Sequence, residues 1–274
     1  MPRAVRLDLA VDTSFYTALQ LQPRVLLAQS FRALASWYKC NLVPFPELIR
    51  DHRLGTVILS IEIRYLERLQ FFDSDTLTVE AGLTLRRRAS RLEQTTTFSA
   101  AGRTAAQVRT VLCPVAILEE QSLSATPTPM PPELVRRFRH DEIDESAPAR
   151  SVPPLLEFLR SGHDQVAEGE HRFRIAHHQC EVAEQWAFIE VPALTESSRE
   201  AIAVDRCAAS PVLKRCLAQP MTALDLELYK PYFIFEHGVV RTEALASPSA
   251  LAFVHELRSG DGKERHGIVV ERYL

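Results

Sequence analysis

The sequence predicts an α+β fold written twice, and three observations predict it. Gln29-Ser30-Phe31-Arg32 lies in an amphipathic stretch near the front, and Glu196-Ser197-Ser198-Arg199 lies in another past the middle. Each stretch is followed by an alternating segment (residues 60–65, SIEIRY; residues 225–230, DLELYK) and then by a matching one (75–80, DTLTVE; 238–243, GVVRTE). Each half closes on a polar turn and a last apolar segment, residues 110–117 and 267–274. Repetition of this kind constrains a fold more than any single residue does.

The elements follow in order. Residues 4–11 alternate in polarity and read as a strand. Pro23 suits a first helical turn, and Val25, Leu26, Phe31, Leu34 and Trp37 carry a helical period over 24–38. Residues 40–52 hold Pro44 and Pro46 and read as a loop with at most one helical turn. Strands are predicted over 56–65, 77–87, 90–100 and 108–117, with a turn through Gly102. A strand, a helix and then antiparallel strands is an α+β order. Residues 119–168, with the proline cluster ATPTPMPP and the charged run HDEIDE, read as a long crossover joining two repeats. The second repeat shows a helix at 193–204, a proline-bounded loop at 211–220, and strands at 222–230, 239–246, 250–258 and 267–273. Residues 259–263 (SGDGK) are a hairpin signal. The predicted domains are therefore 1–118, a crossover 119–168, and 169–274.

Bulk properties exclude several classes. A net charge of −3 gives no field for nucleic acid. Nine glycines against 17 prolines argue against phosphate loops and flexible linkers. The five cysteines, Cys40, Cys113, Cys180, Cys207 and Cys216, form no CxxC pair, which suggests reduced thiols and a cytoplasmic protein. No signal peptide and no membrane span are expected.

The segments 12–32, 71–81 (FFDSDTLTVEA) and 179–199 resemble the hotdog fold of acyl-thioester enzymes, in particular thioesterases of the 4-hydroxybenzoyl-CoA type. In that family a first strand enters a D-x-D loop, and an E-x-x-R element follows on the helix. Asp12-Thr13-Ser14 and Gln179-Cys180-Glu181 stand at the loop, and Gln29–Arg32 and Glu196–Arg199 at the helix. The resemblance implies a tandem, double hotdog: two repeats, each a central helix wrapped by a curled antiparallel sheet. It implies a thioesterase acting on acyl-CoA or an acyl carrier protein in lipid or polyketide biosynthesis, without cofactor or metal. The chain would be a pseudo-twofold monomer or a homodimer. The two helix starts also resemble hotdog dehydratases and acyltransferases of the A-factor synthase type. A dehydratase would pair His178 with Asp12 or Glu196. A non-catalytic acyl-binding scaffold is the reading from a different class, because Ser14 and Gln29 stand where carboxylates are wanted.

Thioester hydrolysis needs a carboxylate to activate water or attack the carbonyl, and N–H groups to hold the oxyanion. By position the working acid is Glu181, with Gln179 and His178 as polar neighbours. Asp12 is the first acid of the other half, and Tyr16 a donor to a carbonyl. Gln29, Arg32 and Arg199 are candidate substrate contacts, and Glu196 a further acid. The structural alternatives are a solvated loop acid for Glu181 and an intrahelical ion pair for Glu196 and Arg199 at i, i+3. His177 and His178 would point to opposite faces of a strand, which argues against a metal. Arg86-Arg87-Arg88 is either a phosphate contact or a solvated, edge-protecting face.

Overall fold

The computed structural model describes residues 2–118, 125–181, 184–206, 208 and 210–273. The chain forms two compact units, one of residues 1–16 and 25–149, the other of residues 17–24 and 150–274.

The first unit holds β1 (Ala4–Ala10), α1 (Pro23–Asn41), α2 (Phe45–His52), β2 (Leu54–Tyr65), β3 (Thr76–Arg86), β4 (Arg91–Ala100), β5 (Arg103–Ile117), β6 (Ala125–Pro127), α3 (Pro132–Val135) and β7 (Ile143–Asp144). Its main strands run in the order β1-β3-β4-β5-β2. The neighbours are antiparallel, from Ala4 opposite Gly82 to Tyr65 opposite Ala106. Along β3, Leu77, Val79, Ala81, Leu83 and Leu85 are buried and the residues between them are not, as a sheet with one covered face requires. The cover is α1, whose Leu34, Trp37 and Tyr38 pack with Leu83, Leu85, Leu92 and Leu112 in one core. Arg3 and the buried Glu142 join the first strand to the 3-10 turn at His140–Glu142, with Arg3 Nε donating to Glu142 Oε1 at 2.8 Å.

The second unit holds α4 (Val152–Gly162), β8 (Asp164–Arg174), α5 (Val191–Arg206), α6 (Pro211–Cys216), β9 (Ala223–Leu228), β10 (His237–Ala246), β11 (Leu251–Ser259) and β12 (Arg265–Tyr273). Its strand order, β8-β10-β11-β12-β9, repeats the first unit's element for element, with α5 and α6 in the places of α1 and α2. The duplication read from the sequence is thus present in the topology. β12 is buried on both faces, and both faces have a cover. Ile268 and Val270 pack against Val152 and Leu159 of α4, while Glu271 meets Thr195 and Arg199 of α5. Residues 119–168 hold all of α4 and the first part of β8; their portion from 125 to 149 is grouped with the first unit and from Arg150 onward with the second.

Two segments expected to be loops are helices, α2 and α6. Both carry a proline within the first two helical positions. There the missing N–H is unpaired in any helix and the fixed φ favours helix, so the prolines start these elements instead of breaking them. The turn at 259–263 is a hairpin as expected, with Gly262 at φ +73°, a backbone that glycine adopts without strain.

Candidate functional site

The second unit gathers its functional candidates on a loop and on the helix that follows. β8 runs into a 3-10 turn at His177–Gln179, so His177 and His178 lie on a turn and not on a strand. Both are exposed, and His177 meets the edge of Phe235 at 5.0 Å between ring centres. Gln179 is spent locally: its Oε1 accepts from the Ala176 N–H at 3.0 Å and its carbonyl from the Ala187 N–H at 2.8 Å. Glu181 follows, held by its own N–H donating to the Gln185 carbonyl at 2.8 Å. Its side chain is exposed, while the surrounding chain desolvates the carboxyl and raises its pKa above 4.5, an effect that solvent moderates. A second 3-10 turn, Phe188–Glu190, leads into α5, where Glu190 accepts from Arg24 at 2.6 Å.

On α5, Glu196 and Arg199 form the expected i, i+3 pair at 3.2 Å. The pair is one edge of a larger buried cluster. Arg199 Nη1 donates to Glu271 Oε2 at 2.7 Å and to the Tyr273 hydroxyl, and Thr195 Oγ1 donates to Glu271 Oε1 at 2.8 Å. Ser198 Oγ lies 2.8 Å from Thr242 Oγ1, and Thr242 Oγ1 lies 2.8 Å from His255 Nδ1. His255 Nε2 stands 3.7 Å from Glu271 Oε1, an ion-pair distance beyond hydrogen-bond range. Glu271 and His255 are fully buried, and Arg199 is 7% exposed.

The electrostatics follow from that burial. Desolvation alone would raise the Glu271 pKa, but Arg199 and His255 outweigh it and hold the group well below the usual carboxylate range. Desolvation likewise works against the Arg199 charge, and Glu271 and Tyr273 more than restore it. Burial raises Glu196, against the pull of Arg199. Glu181 and Glu196 are therefore two carboxylates moved toward the neutral range in which a general base works best.

In the first unit, Asp12 is occupied as the cap of the 3-10 turn Thr13–Phe15, its Oδ1 accepting from the Ser14 N–H at 2.7 Å. Tyr16 is half-buried and packs edge-on to Phe71 at 6.1 Å. Gln29 is half-buried with its Oε1 enclosed, and Arg32 is exposed. Arg32 and Arg199, matched in sequence, thus occupy different environments. Arg86 is committed to Glu93 at 2.6 Å and to Asp144, while Arg87 and Arg88 are exposed on the β3–β4 turn.

Sequence reasoning did not find Glu271, His255, Thr195, Thr242 or Tyr273. The available signal was a charged or polar residue at an inward position of an otherwise apolar strand, as in LAFVHEL and GIVVERY. Among the described residues no group of three or more His, Cys, Asp or Glu is arranged to hold a metal, and no helix is long and apolar enough to cross a membrane. A polar cleft of about 610 Å³ opens beside the β11–β12 turn, between Lys230, His237, Lys263 and His266.

The cysteines yield one expectation. Cys40 is exposed, whereas burial raises the thiol of Cys113 and takes that of Cys216 up to about 11. Brief maleimide treatment of the native protein, read by peptide mass spectrometry, should label Cys40 and leave Cys113 and Cys216 until denaturant is added. Equal labelling of all three would contradict the packing described here.

No family model and no curated protein matches this sequence. Solved structures do match. A candidate oleoyl thioesterase from Lactobacillus plantarum aligns with a TM-score of 0.73 at 11% identity, over 99% of this chain and 96% of its own. The 12:0-ACP thioesterase from Umbellularia californica gives 0.68 at 11% identity, over 99% and 94%. An acyl-ACP thioesterase from Bacteroides thetaiotaomicron gives 0.65 at 8% identity, over 99% and 98%. With near-complete coverage in both directions and a strand order that repeats unit for unit, this chain has the double hotdog fold of those thioesterase structures.

Proposed function

We propose that this chain is a thioester hydrolase acting on an acyl-CoA or an acyl-carrier-protein thioester. The observation that carries the reading is the full-length likeness to the acyl-ACP thioesterases from Umbellularia californica and Bacteroides thetaiotaomicron. Two features of the second unit support it: a loop acid, Glu181, and a helix acid, Glu196, both with raised pKa. In this reading Glu181 activates water, His178 and Gln179 flank it, and Glu196, held by the buried Arg199, contacts the substrate from α5. In the first unit Asp12 caps its own turn, and Tyr16, Gln29 and Arg32 are that unit's own candidate substrate contacts. We place the protein in the cytoplasm.

The test is hydrolysis of acyl-CoA and acyl-carrier-protein panels of increasing chain length, read by mass spectrometry. Glu181→Gln is expected to lower kcat at least 100-fold, in the range for loss of a general base, with the fold intact by circular dichroism. Turnover unaffected by Glu181→Gln would remove Glu181 from the mechanism. One observation favours a second reading, an acyl-binding scaffold: the most fully assembled acid–base cluster, around Glu271 and His255, is sealed from solvent. Tight binding of acyl thioesters with no turnover across both panels would establish the scaffold.

A further inference from the structure

The segment that carries Glu181 is paired with the connection between β9 and β10. Cys180 is bridged antiparallel to Trp186, and Gln185 to Phe233. One step along each ladder, Glu181 lies opposite Gln185 and Trp186 opposite Tyr232. The backbone bonds agree: the Glu181 N–H donates to the Gln185 carbonyl at 2.8 Å, and the Trp186 N–H to the Tyr232 carbonyl at 2.9 Å. Residues opposite one another across antiparallel chains project to the same side, and successive residues to opposite sides. One side therefore carries Cys180, Trp186 and Tyr232, and the other carries Glu181, Gln185 and Phe233. The first side is turned inward: Tyr232 is buried, and its ring meets those of Trp186 and Phe173 at 5.7 and 5.3 Å. The second is turned outward, with Glu181 and Phe233 exposed and Gln185 half-buried between them.

An acid and an aromatic ring thus share one solvent-facing row. Opposed residues stand about 4.5–5.5 Å apart at Cα, so Phe233 lies roughly 10 Å from Glu181. The row is held firmly: the Ile234 N–H donates to the Glu184 carbonyl at 2.9 Å, and the Phe233 N–H to Glu236 Oε2 at 2.9 Å. Phe235, two residues on, sits at φ +66°, a left-handed backbone that bulky side chains rarely adopt, and its N–H donates to the Ile175 carbonyl at 3.1 Å. Strain of this kind persists only where its surroundings impose it, and it collects at binding and catalytic sites. Of the parts of a thioester substrate, only the acyl chain gains by covering Phe233. The ring offers no partner to the amides of the pantetheine arm, and the Glu181 carboxylate disfavours phosphates beside it.

We propose that Phe233 is a specificity-determining residue: it seats the acyl chain of a thioester whose carbonyl lies at Glu181, and so selects chains long enough to reach it. The proposal rests on the thioester reading above for the nature of the ligand, and on the strand register for the direction in which the chain runs. An extended chain advances about 1.2 Å per bond, so roughly eight carbons separate the carbonyl from the ring. Chains of four carbons fall short of it, and chains of twelve cover it.

The experiment is equilibrium binding by calorimetry, with hydrolysis measured separately. The probes are S-alkyl coenzyme A thioethers with chains of four, eight and twelve carbons, which have no carbonyl and so bind without being cleaved. Full burial of a methylene is worth about fourfold in affinity, and contact with one open face about twofold, so the twelve-carbon probe should bind at least about tenfold more tightly than the eight-carbon one. Phe233→Ala should erase that gain and leave the four-carbon probe unchanged, and Phe233→Leu, still apolar, should keep most of it. Phe72→Ala removes the most exposed ring of the first unit and should change neither, which separates the site from general adhesion of chains to aromatics. On the matching thioesters, Phe233→Ala should raise KM for twelve carbons and leave kcat, as loss of uniform binding does. A wild type without the chain-length gain, a gain that survives Phe233→Ala, or a loss equal at all lengths would overturn the proposal even if hydrolysis is confirmed. A gain that depends on Phe233 without any hydrolysis would uphold the site and reject the hydrolase.

Discussion

Arg199→Met is expected to destabilise the second unit by about 3–5 kcal/mol, the range for removing one partner of a buried ion pair. The substitution keeps the volume of α5 but strands Glu271, which is fully buried and whose charge is held mainly by Arg199. The pH dependence should change sign as well. In the wild type, Glu271 titrates far below 4.5, so it contributes stability above the unfolded pKa that is lost as pH falls. In Arg199→Met, desolvation is left with His255, Thr195 and Tyr273 against it, without the guanidinium charge, and raises the folded pKa, so the variant gains stability on mild acidification. The double variant Arg199→Met/Glu271→Leu should recover most of the loss, because burying two apolar side chains avoids desolvating two charges. Urea denaturation of the wild type and the two variants between pH 5 and pH 8 measures all of this. A single variant as stable as wild type would show that the cluster does not hold a charge at Glu271.

Acidification of the wild type should destabilise the first unit through Glu142. Burial opposes its charge, but bonds from the Arg3 side chain and from the Arg139 and Arg3 N–H groups prevail and bring its pKa down to about 2 from 4.5. At 1.36 kcal/mol per pH unit, that gap corresponds to about 3 kcal/mol. The sign is that of a depressed carboxylate: the stabilisation is complete above about pH 5 and disappears progressively toward pH 2. Glu142→Gln should therefore cost about 2–3 kcal/mol near neutrality and much less at pH 3, so that the two stability curves converge on the acid side. Hydrogen exchange of the β1 and β3 amides, which pair across Ala4 and Gly82, follows the first unit directly. Parallel curves for wild type and variant would refute the assignment.

Much of the fold is legible in the chain because it is encoded at short range. A period of two over 76–86 requires only that one face of the strand be covered, and the 3.6 period of α1 requires only a core to face. The two short helices were not legible, because a proline reads alike as a breaker and as a first-turn residue until the next turn is seen to close. The site divides in the same way. Glu196 and Arg199 were legible as a pair because three residues on a helix are neighbours in any fold. That Arg199 is buried while Arg32 is exposed was not legible, since both occupy the same place in a four-residue motif.

The sequence by itself determined the duplication, the helix–sheet order of each half and the local pairs, because all of these follow from spacing along the chain. The tertiary structure alone decided that Glu271 lies under Arg199, 72 residues away, and that Gln94 lies under Ser30, 64 residues away. Such pairs arise from which strand register is placed beneath which helical turn. That register is set by the collective burial of the apolar faces, to which the polar residues themselves contribute little. In one half the result is a closed ion-pair cluster under Arg199, and in the other Gln94 bonds the Ser30 carbonyl and Thr96, although the two helices carry the related motifs QSFR and ESSR.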